Sequence, residues 1–245
     1  VKRLVVIGVL VAVAYGARWA WRPDACGAQG AVPCPSPELA NGLGREISRA
    51  EACRNSGYLC RDLGRSGTLQ VRRRPLRRGT LRVRIPNPPG VSEERGRELK
   101  ETVAEAVRRW DGHPFPVEID MGPIPLRRWD VEVVWTRGLR GREAGVTWLG
   151  WREGPDGPVF ESSSIAVTYE GPGGDPGSTP LRLVAAIAAH EMGHALGLGH
   201  SNSPRDLMYP TTDGSGHPSR ADLATVRRLY ELPNGARIAP GGRRR

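Results

Sequence analysis

The sequence predicts an α+β domain of the layered α/β type, and three stretches carry that expectation. Leu81, Val83 and Ile85 alternate with Arg82 and Arg84, the period of a strand that buries one face. Leu99, Val103, Val107 and Trp110 fall on one side of a helix that follows Ser92. Residues 180–196 read as a second helix, opened by Pro180, whose fixed φ suits a first helical position.

The remaining elements follow in chain order. Ser92 is a natural N-cap, with Glu93 and Glu94 in the first turn, where the helix dipole favours acidic groups. Strands are predicted around 115–119, 130–136 and 144–149. Ile165, Val167 and Tyr169 alternate as a further strand, and residues 175–179 read as a loop. A last helix starts at Ser219, with Asp222 three residues on in a capping-box arrangement and Leu223, Val226 and Tyr230 on its apolar face. Gly and Pro gather at 23–44, 86–90, 154–158 and 171–180, which read as loops. No internal repeat is present.

The 245 residues, 38% of them hydrophobic, suffice for one catalytic-sized domain with a short N-terminal extension. Lys2 and Arg3 precede an apolar run over 4–17, and Arg18, Trp19 and Trp21 follow it. This is the pattern of a secretory signal, with Ala14-Tyr15-Gly16 as a cleavage site, or, left uncleaved, of a membrane tether through residues 4–21. Either reading places the protein outside the cytoplasm, secreted or anchored. No lipobox precedes Cys26. The four cysteines all lie between Cys26 and Cys60. Three disulfide pairings are open, and Cys26–Cys34 with Cys53–Cys60 closes the shortest loops. A structural zinc site there is a poor rival, because the segment has neither His nor a C-x-x-C pair. Residues 1–21 are thus read as signal or anchor, 22–79 as a cysteine-containing extension with a helix at 36–54 and a basic linker at 72–78, 80–233 as the catalytic domain, and 234–245 as a basic tail. The linker is expected to be exposed, so that trypsin releases a stable core starting near Arg78 or Gly79. The net charge of +10 comes almost wholly from Arg, with Lys only at 2 and 100, and its runs fall in the linker and at 243–245. It outlines no nucleic-acid face, and no nucleic-acid partner is expected.

The chemistry lies in residues 190–200, His-Glu-Met-Gly-His-Ala-Leu-Gly-Leu-Gly-His. His190 and His194, four apart on a helix, share a face and can share one ion. Gly197 can take a left-handed backbone, end the helix and bring His200 round as a third nitrogen. Three protein ligands leave a fourth tetrahedral position open, as catalytic zinc requires. Glu191, beside the first ligand, is placed to act as a general base without being a ligand. His113 and His217 are left over as loop residues.

The spacing H-E-x-x-H-x-x-G-x-x-H, followed by Leu207-Met208-Tyr209-Pro210, resembles the metzincin zinc peptidases. Ser201 directly after the third His, and the last helix from Asp222-Leu223 to Leu229-Tyr230, are most similar to matrixins. The resemblance covers 80–233 and is most specific in 187–210. It implies a twisted, mostly parallel sheet with an antiparallel edge strand, an active-site helix, a Met-turn at Met208 and a C-terminal helix. It implies one catalytic zinc, with Met208 as an apolar floor beneath it. It also implies that Ile165, Ala166, Val167 and Thr168 form a sheet edge along which substrate lies antiparallel, beside Tyr209 and Pro210. The wall of the selectivity pocket is expected within 209–216. The chain departs from the family's animal members in two respects. Arg22-Pro23-Asp24-Ala25-Cys26-Gly27 has the letters of the zinc-blocking pro-segment motif in the wrong order, so Cys26 is read as disulfide-bonded. No His lies between His113 and His190, so a second, structural zinc is not expected. Calcium in the loops 154–158 or 171–177 has no strict ligand spacing behind it. The sequence therefore indicates a compact, microbial-type, monomeric zinc endopeptidase acting on protein or peptide. The competing reading is a catalytically idle, membrane-anchored metal-binding or interaction module, against which the intact Glu191 stands.

Overall fold

The computed structural model describes residues 45–61, 69–74, 79–124, 128–139, 144–154, 157–171, 173–211 and 216–238. The expected signal or anchor, Cys26 and Cys34, linker residues 75–78 and the tail beyond 238 lie outside the described residues. So do parts of both calcium-candidate loops and of the pocket wall, at 155–156, 172 and 212–215.

Five strands make the central sheet: β3 (Leu81–Arg84), β4 (Val117–Asp120), β5 (Val131–Thr136), β6 (Gly145–Gly154) and β7 (Gly157–Thr168). Their order is β4-β3-β5-β7-β6, with every neighbour parallel except β6, which runs antiparallel to β7. The mostly parallel sheet with one antiparallel edge strand is therefore present. The edge, however, is β6 and not residues 165–168. Those residues pair on both sides, with 133–136 of β5 and with 144–147, so no backbone group there is left for a substrate strand. Side-chain alternation reports which face is buried and is blind to which strand lies outermost. Both strands of the β6–β7 hairpin also run further than expected, with a register shift at Gly150/Trp151.

Helix α2 (Glu93–Arg108) is capped by Ser92, whose Oγ accepts from the Arg95 N–H at 3.2 Å, and buries Leu99, Val103, Ala106 and Val107. Helix α3 (Leu181–Ala195) lies beside α2 and against β6 and β7. It buries nearly every residue from Val184 to Ala195, and its small alanines allow that close packing. Pro180 stands at its cap position, one residue before the first helical turn. Trp110, at the end of α2, is fully buried and donates its Nε1–H to the Ala189 carbonyl of α3 at 2.9 Å, locking the two helices together. Helix α4 (Arg220–Glu231) opens with the expected capping box between Ser219 and Asp222.

The N-terminal segments are built into this body. Of the helix expected at 36–54, the described part holds only a single turn, α1 (Arg49–Ala52), because Glu46–Ile47 is drawn into a strand, β1. A second small sheet has the order β1-β8-β2, with β2 at Leu69–Gln70 and β8 at Arg237–Ile238 between them. Cys53–Cys60 is a disulfide. Of the linker's described residues, Arg72 is exposed, Arg73 half-buried and Arg74 buried, and Val71 just before the linker is buried too. Val71 exchanges backbone hydrogen bonds with Gly235 and Ala236 at 2.9 and 2.8 Å. The Arg74 guanidinium donates from Nε to the Ala195 carbonyl at 3.1 Å and also to Ser163 Oγ. Its charge is thus dissolved in acceptors at the C-terminal end of α3, where the helix dipole favours a cation.

Candidate metal centre and active site

Helix α3 carries the first two histidines one turn apart, and the chain must then reverse to bring the third. Gly197 makes the reversal at φ +100°, a conformation L side chains rarely adopt. The Leu198 N–H closes the turn onto the Gly193 carbonyl at 3.1 Å. His200 then faces back. Its Nε2 lies 3.3 Å from His190 Nε2 and 3.2 Å from His194 Nε2. A tetrahedral zinc with Zn–N bonds of about 2.0–2.1 Å has ligand–ligand edges of about 3.3–3.4 Å. Both distances match such an edge, and the three ligand atoms lie within 4.8 Å of one another, so among the described residues they are the one group of His, Cys, Asp or Glu that could hold a metal ion.

The first two rings are aimed from behind. His190 Nδ1 is 2.8 Å from the Leu207 carbonyl and His194 Nδ1 is 2.7 Å from the Leu198 carbonyl. A carbonyl only accepts, so both Nδ1 atoms carry the hydrogen and both Nε2 lone pairs are free for a metal. Burial, which disfavours the charged imidazolium, lowers the pKa of all three rings. His194 is further lowered by His190 and His200, and His200 by His190 and the Arg61 charge. The cluster is thus neutral, and competent to ligate, at neutral pH.

Met208 is fully buried, with its sulfur in the space over Gly193 that a side chain there would occupy. Its carbonyl accepts from the Ser201 N–H at 2.7 Å, tying the segment after His200 to the turn. Asp222, with no exposure, accepts the backbone N–H groups of Leu207 at 2.8 Å, Met208 at 3.4 Å and Ser219 at 2.7 Å. In the sequence Asp222 is visible as half of a capping box and as the start of a matrixin-like last helix. Its hold on the Met208 turn depends on a packing that its spacing does not encode.

Glu191 is buried on the β6 side of α3. Thr147 Oγ1 lies 2.6 Å from Glu191 Oε2 and 2.9 Å from the Glu191 carbonyl. At Gly145, two residues earlier on the same face of β6, a Cβ would stand 2.6 Å from Glu191 Oε1. Gly145 and Thr147 together shape the seat of this carboxylate, and neither is singled out by the sequence, because both lie over forty residues away. Tyr209 and Pro210 follow directly on Met208, with Tyr209 half-buried and Pro210 exposed. Residues 165–168 lie inside the sheet.

Residues 160–231 match the family model of the matrixins. Macrophage metalloelastase from Oryctolagus cuniculus is 43% identical over 153 residues, which cover 55% of this chain and 30% of that protein. Matrilysin from Rattus norvegicus is 44% identical over 52 residues, 20% of each chain. Matrix metalloproteinase-20 from Homo sapiens is 36% identical over 89 residues, 31% of this chain and 18% of that protein. The chain thus spans less than a third of the length of these curated relatives. The family match takes in all of α3, the Gly197 reversal, the Met208 turn and α4. Over residues 160–231, from β7 to the end of α4, the chain is therefore matrixin-like.

Proposed function

We propose that the protein is a zinc-dependent endopeptidase, held outside the cytoplasm, with His190, His194 and His200 as ligands and Glu191 as general base. The observation that carries this reading is the convergence of three histidine ring nitrogens within 4.8 Å of one another, two of the distances at 3.2 and 3.3 Å, with the buried, hydrogen-bonded Glu191 next to the first of them on α3. A zinc ion held there would supply Lewis acidity, polarising a peptide carbonyl and acidifying water. Glu191 removes the proton from the attacking water and returns it to the leaving amine. Thr147 and Gly145 hold its carboxylate in place for both transfers. The match to peptidases by name and the Cys53–Cys60 disulfide, which belongs to oxidising compartments, support this reading. Among the described residues no helix is long and apolar enough to cross a membrane, so a tether would rest on residues 4–21. Zinc analysis joined to cleavage of an unfolded protein tests the whole. One zinc per chain with no cleavage of any peptide would favour the idle metal-binding module.

The free edge of β6 is the place for an extended substrate. The Thr168 N–H donates to the Ala144 carbonyl at 3.2 Å, which makes Ala144/Thr168 a hydrogen-bonded pair of the ladder. By alternation, Gly145, Thr147 and Leu149 point their backbone groups away from β7. They can pair with every second residue of an added strand. N-methylation scanned along a cleaved peptide should therefore lower kcat/KM about five- to tenfold at alternate positions and leave the others untouched. Tolerance at every position would place the substrate elsewhere.

Thr147→Val, which removes the hydroxyl at nearly constant volume, should lower kcat about tenfold with KM and zinc content kept, and Thr147→Ser should restore it. Equal kcat in Thr147→Val and wild type would show that Glu191 is held without that hydroxyl.

A further inference from the structure

The geometry points to Tyr58 as a positioning residue of the metal centre, carried by the Cys53–Cys60 loop to the carboxylate that holds the Met208 turn, so that the extension completes the active domain. The inference rests on the zinc-centred reading above and adds a part to it.

A hydrogen-bonded path joins the loop to the first ligand. The Tyr58 hydroxyl donates to Asp222 Oδ1 at 2.8 Å. Asp222 Oδ2 accepts the Leu207 N–H at 2.8 Å, and the Leu207 carbonyl accepts from His190 Nδ1 at 2.8 Å. The path reaches His190 on its Nδ1 edge, away from the Nε2 that faces the other two rings. Asp222 is wholly buried, so its oxygens must be satisfied by protein. Oδ2 takes Leu207 and Ser219. Oδ1 takes Tyr58 at 2.8 Å and the Met208 N–H only at 3.4 Å. Without the phenol, Oδ1 keeps one long contact, and the carboxylate can shorten it only by turning or by drawing the 207–208 backbone towards itself. Either movement displaces the carbonyl that aims His190. Burial first, and then the Asp222 charge, raise the Tyr58 pKa, so the hydroxyl keeps its proton and stays a donor.

The loop is seated for this task along its length. The Tyr58 N–H donates to Thr225 Oγ1 at 3.1 Å. Arg228 of α4 reaches back to the Ala52 carbonyl from Nε at 3.0 Å and also to the Glu51 carbonyl. Gly57, at φ +54°, lies so close to α4 that a Cβ would stand 2.3 Å from Thr225 Oγ1 and 2.4 Å from the Ala221 carbonyl. Nothing larger fits without lifting the loop. The disulfide pins both ends of the turn that bears Tyr58.

The test is zinc affinity and zinc release into an excess of chromophoric chelator, measured on the full chain well below its melting temperature. Tyr58→Phe, which removes one oxygen, should keep the fold and weaken zinc about tenfold or more, the range for partners that orient a ligand. Gly57→Ala should weaken it at least as much. Leu81→Ala, a core truncation in β3, should lower Tm without changing zinc affinity, which separates positioning from stability. Wild-type affinity in Tyr58→Phe overturns the inference even if Gly57→Ala fails to fold. So does a loss of zinc in Leu81→Ala that matches its loss of Tm. If wild type binds zinc and cleaves peptide while Tyr58→Phe is unaffected, only this inference falls. A wild-type chain that takes up no zinc overturns it together with the reading it rests on.

Discussion

Glu191→Ala should lower peptide hydrolysis by about 10² to 10⁴ in kcat, the range for removal of a positioned general base, while one zinc per chain is retained. The three imidazoles are aimed by the carbonyls of Leu207 and Leu198 and by the Gly197 reversal, none of which depends on the Glu191 carboxylate. The substitution leaves a small cavity beside Thr147 and Gly145, and the Thr147 hydroxyl keeps the residue 191 carbonyl as its acceptor. Folding should therefore change little. His194→Ala should behave differently. In the proposed centre its ring is a ligand, two nitrogens would hold zinc poorly, and apo chain should accumulate. Elemental analysis and turnover of one quenched peptide, measured on both variants, separate the roles. Near-normal turnover in Glu191→Ala would remove the carboxylate from the mechanism, and zinc loss there would make it a ligand.

A chain beginning at Gly79 should fail to fold cooperatively, in contrast to the stable trypsin core that the basic linker suggests. Its loss strips β8 of both neighbours, β1 and β2, and uncovers Ile238 and Ala236. Ile47 and Val71, with exposures of 2% and 1%, go with it, and each such side chain contributes about 1.5–3 kcal/mol when buried. The Arg74 bonds to Ala195 and Ser163 and the Tyr58 bond to Asp222 are lost as well. Against a typical domain stability of about 5–15 kcal/mol, these losses are decisive. Thermal unfolding of the trimmed and full chains is the measurement. A trimmed chain melting cooperatively within a few degrees of the full one would make residues 45–74 a dispensable appendage.

Local signals read the site well and its surroundings poorly. The three His, Glu191 and Gly197 fall within eleven consecutive residues, so one helical turn and the Gly197 reversal bring the three rings together. Ser92 and Ser219 announce their helices because capping is also local. The resemblance puts the sheet edge at residues 165–168, whereas β6 holds it, and alternation offers no correction, because residues 165–168 show the same period inside the sheet as they would at its rim. Thr147 and Gly145 gave no signal at all, since their contact with Glu191 spans forty-four residues or more. The extension looks separate in the sequence for the same reason. Two-residue strands such as β1, β2 and β8 have no period to detect, and Arg72-Arg73-Arg74 has the composition of a solvated strap while Arg74 is in fact buried.

The small sheet sets the order in which the molecule can be made. β8, Arg237–Ile238, is the middle strand, pairing with Glu46–Ile47 on one side and Leu69–Gln70 on the other. Two of its three strands are made well before the third, at a separation that makes closure slow compared with helix formation. Asp222 and the Met208 turn arrive in the same late stretch. A nascent chain can therefore form α2 and most of the large sheet before Asp222, the Met208 turn and β8 have been made, and the small sheet closes only once β8 is free to reach its two neighbours.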